Sequence, residues 1–243
     1  MPRLITILLT VTSMLCGIGT AEAQQPAELT ELLPDFARSV CGWNEGDDQI
    51  IVPDGVTELP DFAFYEMQGV RSVSLPPSLT RIGRSAFAWM GDLEEVNLPG
   101  NLTDIGAHAF AYCARLRAIS LPEGLTHIGN NAFSRCESLG DVRMPLSLTE
   151  LESYAFSDCF SLRAASLPAN DSLLGELIFS GCRRLSRLEC MSPTPPPFDC
   201  RSFIFEPDDS TAYRRCRLTV PADAVDAYSQ APGWKLFPVI LGL

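Results

Sequence analysis

An interval of 23 residues recurs through the middle of the chain and limits it to very few folds. Proline, phenylalanine, leucine or valine, and threonine or serine each return at this interval, always at the same place in the unit. The two most regular columns are Pro53, Pro76, Pro99, Pro122, Pro145 and Pro168, and Phe64, Phe87, Phe110, Phe133, Phe156 and Phe179. Columns that share one interval predict six tandem repeats over residues 50–187.

One repeat can be translated into local structure. Val96 and Leu98 alternate with polar residues, which predicts a short half-buried strand, and Pro99 ends it because proline lacks an N–H. Gly106 is expected to take a positive φ in the following turn. Residues 107–113 are predicted to form a single helical or 3₁₀ turn. The predicted fold is therefore an α/β leucine-rich-repeat solenoid of six to seven 23-residue coils, each a strand plus a short helical turn.

A single coil buries too little apolar surface to be stable, so the coils must stack. We expect each phenylalanine of the column to pack on those of the neighbouring coils. A second column alternates in charge along the stack and predicts cross-strand pairs at the surface rather than a site. Its members are Glu58, Arg81, Asp104, His127 and Glu150. His108 is likewise expected at the surface.

The N-terminus has the composition of a secretory signal peptide. Arg3 precedes an apolar run over residues 4–20, and the small residues around Ala23 predict cleavage there, so residues 1–23 form the signal. Lipid attachment at Cys16 is the alternative. Residues 24–49 are predicted to be the N-terminal cap.

Residues 188–243 are predicted to form a last irregular repeat and a C-terminal cap. A strand around Leu218 and a helix over residues 223–229 precede Trp234, which would cover the last apolar edge. At the other end, a short helix over residues 27–33 is expected before Pro34. Such caps keep solenoids soluble because they cover the apolar ends of the stack.

Charge and histidine content exclude several functions. The chain holds 30 acidic and 18 basic residues, and its net charge of −12 argues against binding nucleic acid or anionic membranes. After the signal, no apolar stretch has the ~20 residues of a membrane span. With two histidines and no catalytic or phosphate-binding spacing, we predict no enzyme activity, no cofactor and no metal.

Four cysteines form another column of the repeat, namely Cys113, Cys136, Cys159 and Cys182. Thiols strung along successive coils cannot surround one zinc ion, so we expect free buried thiols that act as small apolar residues. Cys200 and Cys216 lie in the C-terminal cap and are candidates for a disulfide in an exported protein; free thiols are the alternative.

The pattern I-G-x-x-A-F-x-x-C stands complete at residues 105–113 and again at residues 128–136. In this it resembles the BspA-type leucine-rich repeats of bacterial surface and secreted proteins. The resemblance implies an exported bacterial protein, secreted or held at the cell surface, that takes part in adhesion or protein–protein contact without chemistry in its repeats.

Two groups of outward positions are candidate binding surfaces. Arg71, Arg117, Arg143 and Arg163 are predicted on the strand side, and Trp89 and Tyr112 on adjacent coils could form an exposed aromatic pair or be partly buried. The resulting hypothesis is a non-catalytic recognition or adhesion module for extracellular or cell-surface proteins. A glycan-binding surface protein is the alternative, and a hydrolase would need a pocket of carboxylates.

Overall fold

The computed structural model describes residues 34–168, 173–196, 204–205 and 210–243. They form a β-solenoid of about eight turns with 23-residue spacing and little helix. The predicted leucine-rich-repeat solenoid is thereby confirmed. The predicted signal peptide at residues 1–23 lies outside the described residues, as does the helix expected over residues 27–33.

One side of the solenoid, which we call the strand face, consists of a three-stranded and a five-stranded parallel sheet. The three strands are Gln49–Ile51, Ser72–Ser74 and Glu95–Asn97, and the five are Asp141–Val142, Ala164–Leu167, Arg187–Cys190, Arg217–Val220 and Ile240–Gly242. Val73 pairs with Val96 and Ala164 with Arg187, so residues 23 apart lie side by side. In the three strands of the first sheet the middle side chain is buried and the flanking ones face outward.

A second side, the ladder face, is one parallel sheet of six two-residue strands. They are Glu58–Leu59, Arg81–Ile82, Asp104–Ile105, His127–Ile128, Glu150–Leu151 and Leu173–Leu174. Neighbouring strands pair in register, as Arg81 does with Asp104 and Asp104 with His127. The charge-alternating column of the sequence therefore forms the outer row of this face.

On the third side, the turn face, the prediction of a helical turn over residues 107–113 is wrong: these residues form consecutive turns. His108 and Tyr112 have positive φ values of 57° and 64°. Their N–H groups donate to the next coil, to the carbonyls of Asn130 and Ser134 at 2.8 Å each. Within the coil, Ala109 and Ala111 donate to the carbonyls three residues earlier. Bonds within the coil therefore alternate with bonds to the next coil, which a regular helical turn would not make.

Gly106 also differs from expectation, because it is absent from the glycines with positive φ. A Cβ at this position would lie 2.9 Å from the backbone nitrogen of Arg84, closer than real Cβ contacts allow. At Gly129 the corresponding distance, to the nitrogen of Ala107, is 2.6 Å. Glycine is needed at these two positions because successive coils approach closely there.

The core is the continuous interior between the three sides. The six phenylalanines of the repeat column are fully buried, as predicted. Phe133 stacks on Phe110 and on Phe156 with ring centroids 5.1 Å and 5.0 Å away and nearly parallel planes. At the N-terminal end, Phe36 meets Phe64 edge to face at 5.7 Å. Since Phe36 belongs to the helix Pro34–Ser39, that helix caps the stack.

The C-terminal part ends the solenoid with helices Ser210–Arg215 and Val225–Gln230 and with 3₁₀ turns Ala222–Ala224 and Trp234–Leu236. The predicted helix over residues 223–229 falls within these elements. Tyr228 is fully buried and donates its hydroxyl hydrogen to the carbonyl of Ser192 at 3.0 Å. Trp234 donates its indole N–H to the carbonyl of Pro196 at 2.9 Å. Both aromatic residues thus cover the last coil while keeping their polar groups satisfied.

Within the part of the chain that the structure describes, no helix combines the length and the apolarity required to cross a membrane.

Candidate functional site

The strand face brings the predicted arginines together on one surface. Arg71, Arg117, Arg143 and Arg163 are all exposed. Arg117 contacts the carboxylate of Glu94 on the preceding coil at 3.7 Å. Among the described residues, the other three arginines form no salt bridge within 4.0 Å. Their charges are therefore available to a partner.

Two further arginines of this face were missed by the sequence analysis. Arg187 and Arg217 are exposed and stand directly opposite each other on adjacent parallel strands. Parallel strands lie about 4.8 Å apart, and like charges in such positions repel. Arg187 could have been found by extending the strand columns. Arg217 could not, because 30 residues separate it from Arg187 and the 23-residue interval ends before it.

By contrast, Arg215 has a structural role at the start of the same region. Its guanidinium donates to the carbonyl oxygens of Leu185 and Cys182 at 3.2 Å and 3.3 Å. It joins the C-terminal part to the sixth repeat. Arg215 therefore differs from Arg187 and Arg217, whose side chains are exposed on the strand face.

Trp89 and Tyr112 form a stacked pair on the turn face. Their ring centroids are 3.8 Å apart, their planes are nearly parallel, and Trp89 is 45% exposed. The guanidinium of Arg135 lies over the Tyr112 ring at 5.5 Å and contacts Asp158 at 3.4 Å. Tyr112 is thus covered by Trp89 on one coil and Arg135 on the next, so the outer face of Trp89 is the accessible aromatic surface.

The ladder face holds a histidine with carboxylates on both ring nitrogens. His127 Nδ1 is 2.7 Å from Asp104 Oδ2, and its Nε2 is 3.1 Å from Glu152 Oε1. The hydrogen bond to Asp104 raises the pKa of His127 to about 9, although partial burial lowers it. The hydrogen bond to Glu152 acts in the same direction as that to Asp104. The hydrogen bond from His127 in turn holds the pKa of Asp104 below its ordinary value. At neutral pH the imidazole is therefore a cation between anions.

Glu152 was not singled out by the sequence analysis, although a signal existed. It occupies the repeat position of Gly106 and Gly129, where four of the repeats have glycine. Besides contacting His127, its other carboxylate oxygen accepts a hydrogen bond from the backbone N–H of Asn130 at 2.6 Å. A departure from a column in which four of the six repeats have glycine marks this residue.

The column cysteines are buried and free, and each donates its S–H to a phenylalanine carbonyl of the preceding coil. For Cys136 the acceptor is the carbonyl of Phe110, 3.2 Å from Sγ. Burial raises the pKa of Cys113, Cys136 and Cys159. Of the candidate disulfide, Cys216 is buried, whereas Cys200 lies outside the described residues.

The stacked coils, the parallel one-strand-per-coil sheet and the buried phenylalanine column define a leucine-rich-repeat solenoid. The family model of the BspA type leucine-rich repeat region matches in six copies, over residues 47–163 and 103–194. The chain therefore belongs to the BspA-type leucine-rich repeat family. Leucine-rich repeats are a non-enzymatic fold associated in general with protein–protein recognition and adhesion.

Two solved structures illustrate the relationship. A leucine-rich repeat protein of T. pallidum is 37% identical over 60% of this chain and 72% of its own, with a TM-score of 0.57. A leucine-rich cell surface protein from Faecalibacterium prausnitzii is 26% identical over 77% of this chain, with a TM-score of 0.61, and the match spans 58% of that protein. No curated protein matches the chain.

Proposed function

We propose that this protein is an exported, non-catalytic recognition module whose strand face binds an acidic surface of an extracellular or cell-surface protein. The observation that carries the proposal is the group of exposed arginines on that face which lack an ion-pair partner among the described residues. They are Arg71, Arg143, Arg163, Arg187 and Arg217. The rest of the proposal depends on the class of protein and on the predicted signal at residues 1–23.

The contrast with the rest of the chain supports this choice of partner. The whole chain carries a net charge of −12, and the strand face itself also exposes Glu95, Asp141 and Glu189, so the unpaired arginines are positive positions in an acidic protein. An acidic partner surface would bind between Arg187 and Arg217 and relieve their mutual repulsion. Arginine suits this task because its planar guanidinium binds carboxylates in a bidentate manner.

The proposal is tested with immobilised extracellular matrix proteins of differing charge. The double variant Arg143→Glu/Arg163→Glu reverses two charges on neighbouring coils of the strand face. We expect the wild type to bind at least one acidic protein of the panel, with an affinity that falls as salt rises. The double variant should weaken that binding by about tenfold or more, since each lost charge contact at an interface costs about 1.4 kcal/mol or more.

Arg84→Glu is the matched control, because Arg84 is exposed but lies between the ladder face and the turn face. It makes the same charge change as the single variant Arg143→Glu, which is measured beside it, and should leave binding intact. Equal loss in Arg84→Glu and in the strand-face variant would mean that net charge alone matters. Absence of binding to every protein of the panel would count against the recognition function itself.

Glycan binding is the second candidate, favoured by the exposed outer face of Trp89. A sugar ring could stack there, although the covered Tyr112 ring limits the platform to one aromatic face. A glycan array distinguishes the two functions. If an array signal is abolished by Trp89→Ala and not by Arg143→Glu/Arg163→Glu, the turn face binds glycan and the strand-face proposal is wrong.

A further inference from the structure

Glu152 occupies a repeat position at which four other repeats carry glycine. Those glycines are Gly83, Gly106, Gly129 and Gly175. Successive coils approach so closely here that a Cβ at Gly129 would lie 2.6 Å from a backbone nitrogen of the preceding coil. A glutamate at such a position opposes the packing preference of the repeat, which directs attention to what its carboxylate contacts.

That carboxylate belongs to a cluster drawn from two consecutive coils. His127, Glu150 and Glu152 can each direct one nitrogen or oxygen ligand atom so that all three atoms lie within 4.8 Å of one another. Glu150 is the register partner of His127 on the adjacent strand of the ladder face. All three side chains are partly buried, so solvent and ions can reach them.

Asp104 prepares the imidazole for a ligand on its other nitrogen. Its Oδ2 lies 2.7 Å from His127 Nδ1, which fixes the ring and leaves Nε2 directed at Glu152, 3.1 Å away. A carboxylate on one ring nitrogen with a metal on the other is the usual arrangement of zinc-binding histidines. Without Asp104 the ring could rotate away from the two glutamates.

We propose that His127, Glu150 and Glu152 bind one Zn²⁺ ion, with Asp104 as the positioning residue for the imidazole. Zinc takes nitrogen and carboxylate ligands at about 2.0–2.2 Å, so the ligand atoms of a tetrahedral site lie roughly 3.3 Å apart. Small rotations of the two glutamate side chains would close the remaining distance. An imidazole nitrogen among the ligands favours zinc over Ca²⁺ or Mg²⁺, which prefer oxygen.

Three protein ligands leave the fourth zinc position open to water or to a ligand from a partner. The ion would also join the fourth and fifth coils, because His127 comes from one and both glutamates from the next. Zinc binding should therefore stabilise the fold as well as occupy the surface. This function is independent of the arginines on the strand face.

Isothermal titration of the full chain with ZnCl₂ tests the proposal. The protein is made without an affinity tag, kept reduced, and studied at mildly alkaline pH because zinc must replace the proton on Nε2. We expect one ion per chain. Asp104→Asn should weaken binding about 10- to 100-fold, as loss of a carboxylate behind a metal-binding histidine does. His127→Asn and Glu152→Gln remove ligands and should weaken binding further.

Two matched controls accompany these variants. Glu58→Gln changes the same residue type in the same charged column at the other end of the ladder face, and His108→Asn changes the only other histidine of the chain. Both should bind zinc like the wild type. Glu152→Gly restores the glycine of the column, so it should fold normally, judged by circular dichroism, and yet lose the zinc affinity.

The outcome decides the matter in either direction. Binding by the wild type that is lost in His127→Asn and in Glu152→Gly supports the site. Binding that survives in His127→Asn comes from the thiols or elsewhere and overturns the proposal. Failure of the wild type to bind zinc overturns it as well, without consequence for the proposed recognition of acidic proteins.

Discussion

Phe133→Ala is the most direct test of the stacked core. The ring is fully buried and lies between those of Phe110 and Phe156, with centroid distances of 5.1 Å and 5.0 Å. Truncation of a buried phenylalanine to alanine costs about 3–5 kcal/mol, because a cavity remains where the ring was. Two stacked ring contacts are also lost, at about 0.5–1.5 kcal/mol each. The loss should therefore lie at the upper end of the cavity range.

Urea unfolding followed by far-ultraviolet circular dichroism measures this loss as a lower transition midpoint. Phe133→Leu keeps most of the apolar volume and should cost less than Phe133→Ala. Leu146→Ala is the surface control, because Leu146 is 69% exposed and its truncation should change stability by about 0.5 kcal/mol or less.

The reasoning fails if Phe133→Ala lowers the free energy of unfolding by less than about 1 kcal/mol. In that case the ring column would not be the common spine of the coils. A broadened transition, in which the coils before and after Phe133 unfold separately, would be consistent with the stacked column. It would show that the Phe133 ring couples the unfolding of the two parts of the solenoid.

Two further predictions concern positions of the repeat itself. Gly129→Ala should destabilise the protein by more than about 1 kcal/mol in urea unfolding, because its Cβ would lie 2.6 Å from the backbone of the preceding coil. Gly140→Ala is the control and should leave stability unchanged, because the atom nearest to its Cβ would be 3.8 Å away. Equal destabilisation by the two substitutions would contradict the packing argument. Burial raises the pKa of the Cys113, Cys136 and Cys159 thiols above the ordinary 9.0, so they stay neutral in the folded state and ionise only on unfolding. Under reducing conditions, stability should therefore fall as pH rises above about 9, by up to about 1.4 kcal/mol per pH unit for each thiol, and C113A/C136A/C159A should show a flatter profile; an unchanged profile would contradict burial of neutral thiols.

The interior could be predicted from the sequence because in a stacked repeat every coil must present the same kind of side chain at the same inward position. Phe110 and Cys113 recur at fixed intervals since each inward position meets the same position of the next coil. One interval therefore determines the strands, their register and the phenylalanine stack. The resemblance to the BspA-type repeats rests on these same inward residues.

The turn face could not be predicted in the same way. His108 and Tyr112 have positive φ although neither is glycine. Their conformation is stabilised by hydrogen bonds to the next coil. The sequence of a single repeat does not reveal such contacts between coils. Gly106 was misinterpreted for the same reason, since its role is the close approach of a neighbouring coil and not an unusual φ.

Outward positions carry function in this fold because stacking makes no demand on them, so departures from the repeat are more informative than its consensus. Arg187 and Arg217 repel each other in register, and Glu152 replaces a glycine that packing favours. The repulsion between the two arginines does not stabilise the stack, and Glu152 contributes to it only through its contacts with Asn130 and His127 on the preceding coil. A bound ligand would explain both features. We propose an acidic protein surface as the ligand of the arginines and a zinc ion as the ligand of Glu152. The two sites lie on different faces, so charge reversal at one should leave binding at the other unchanged.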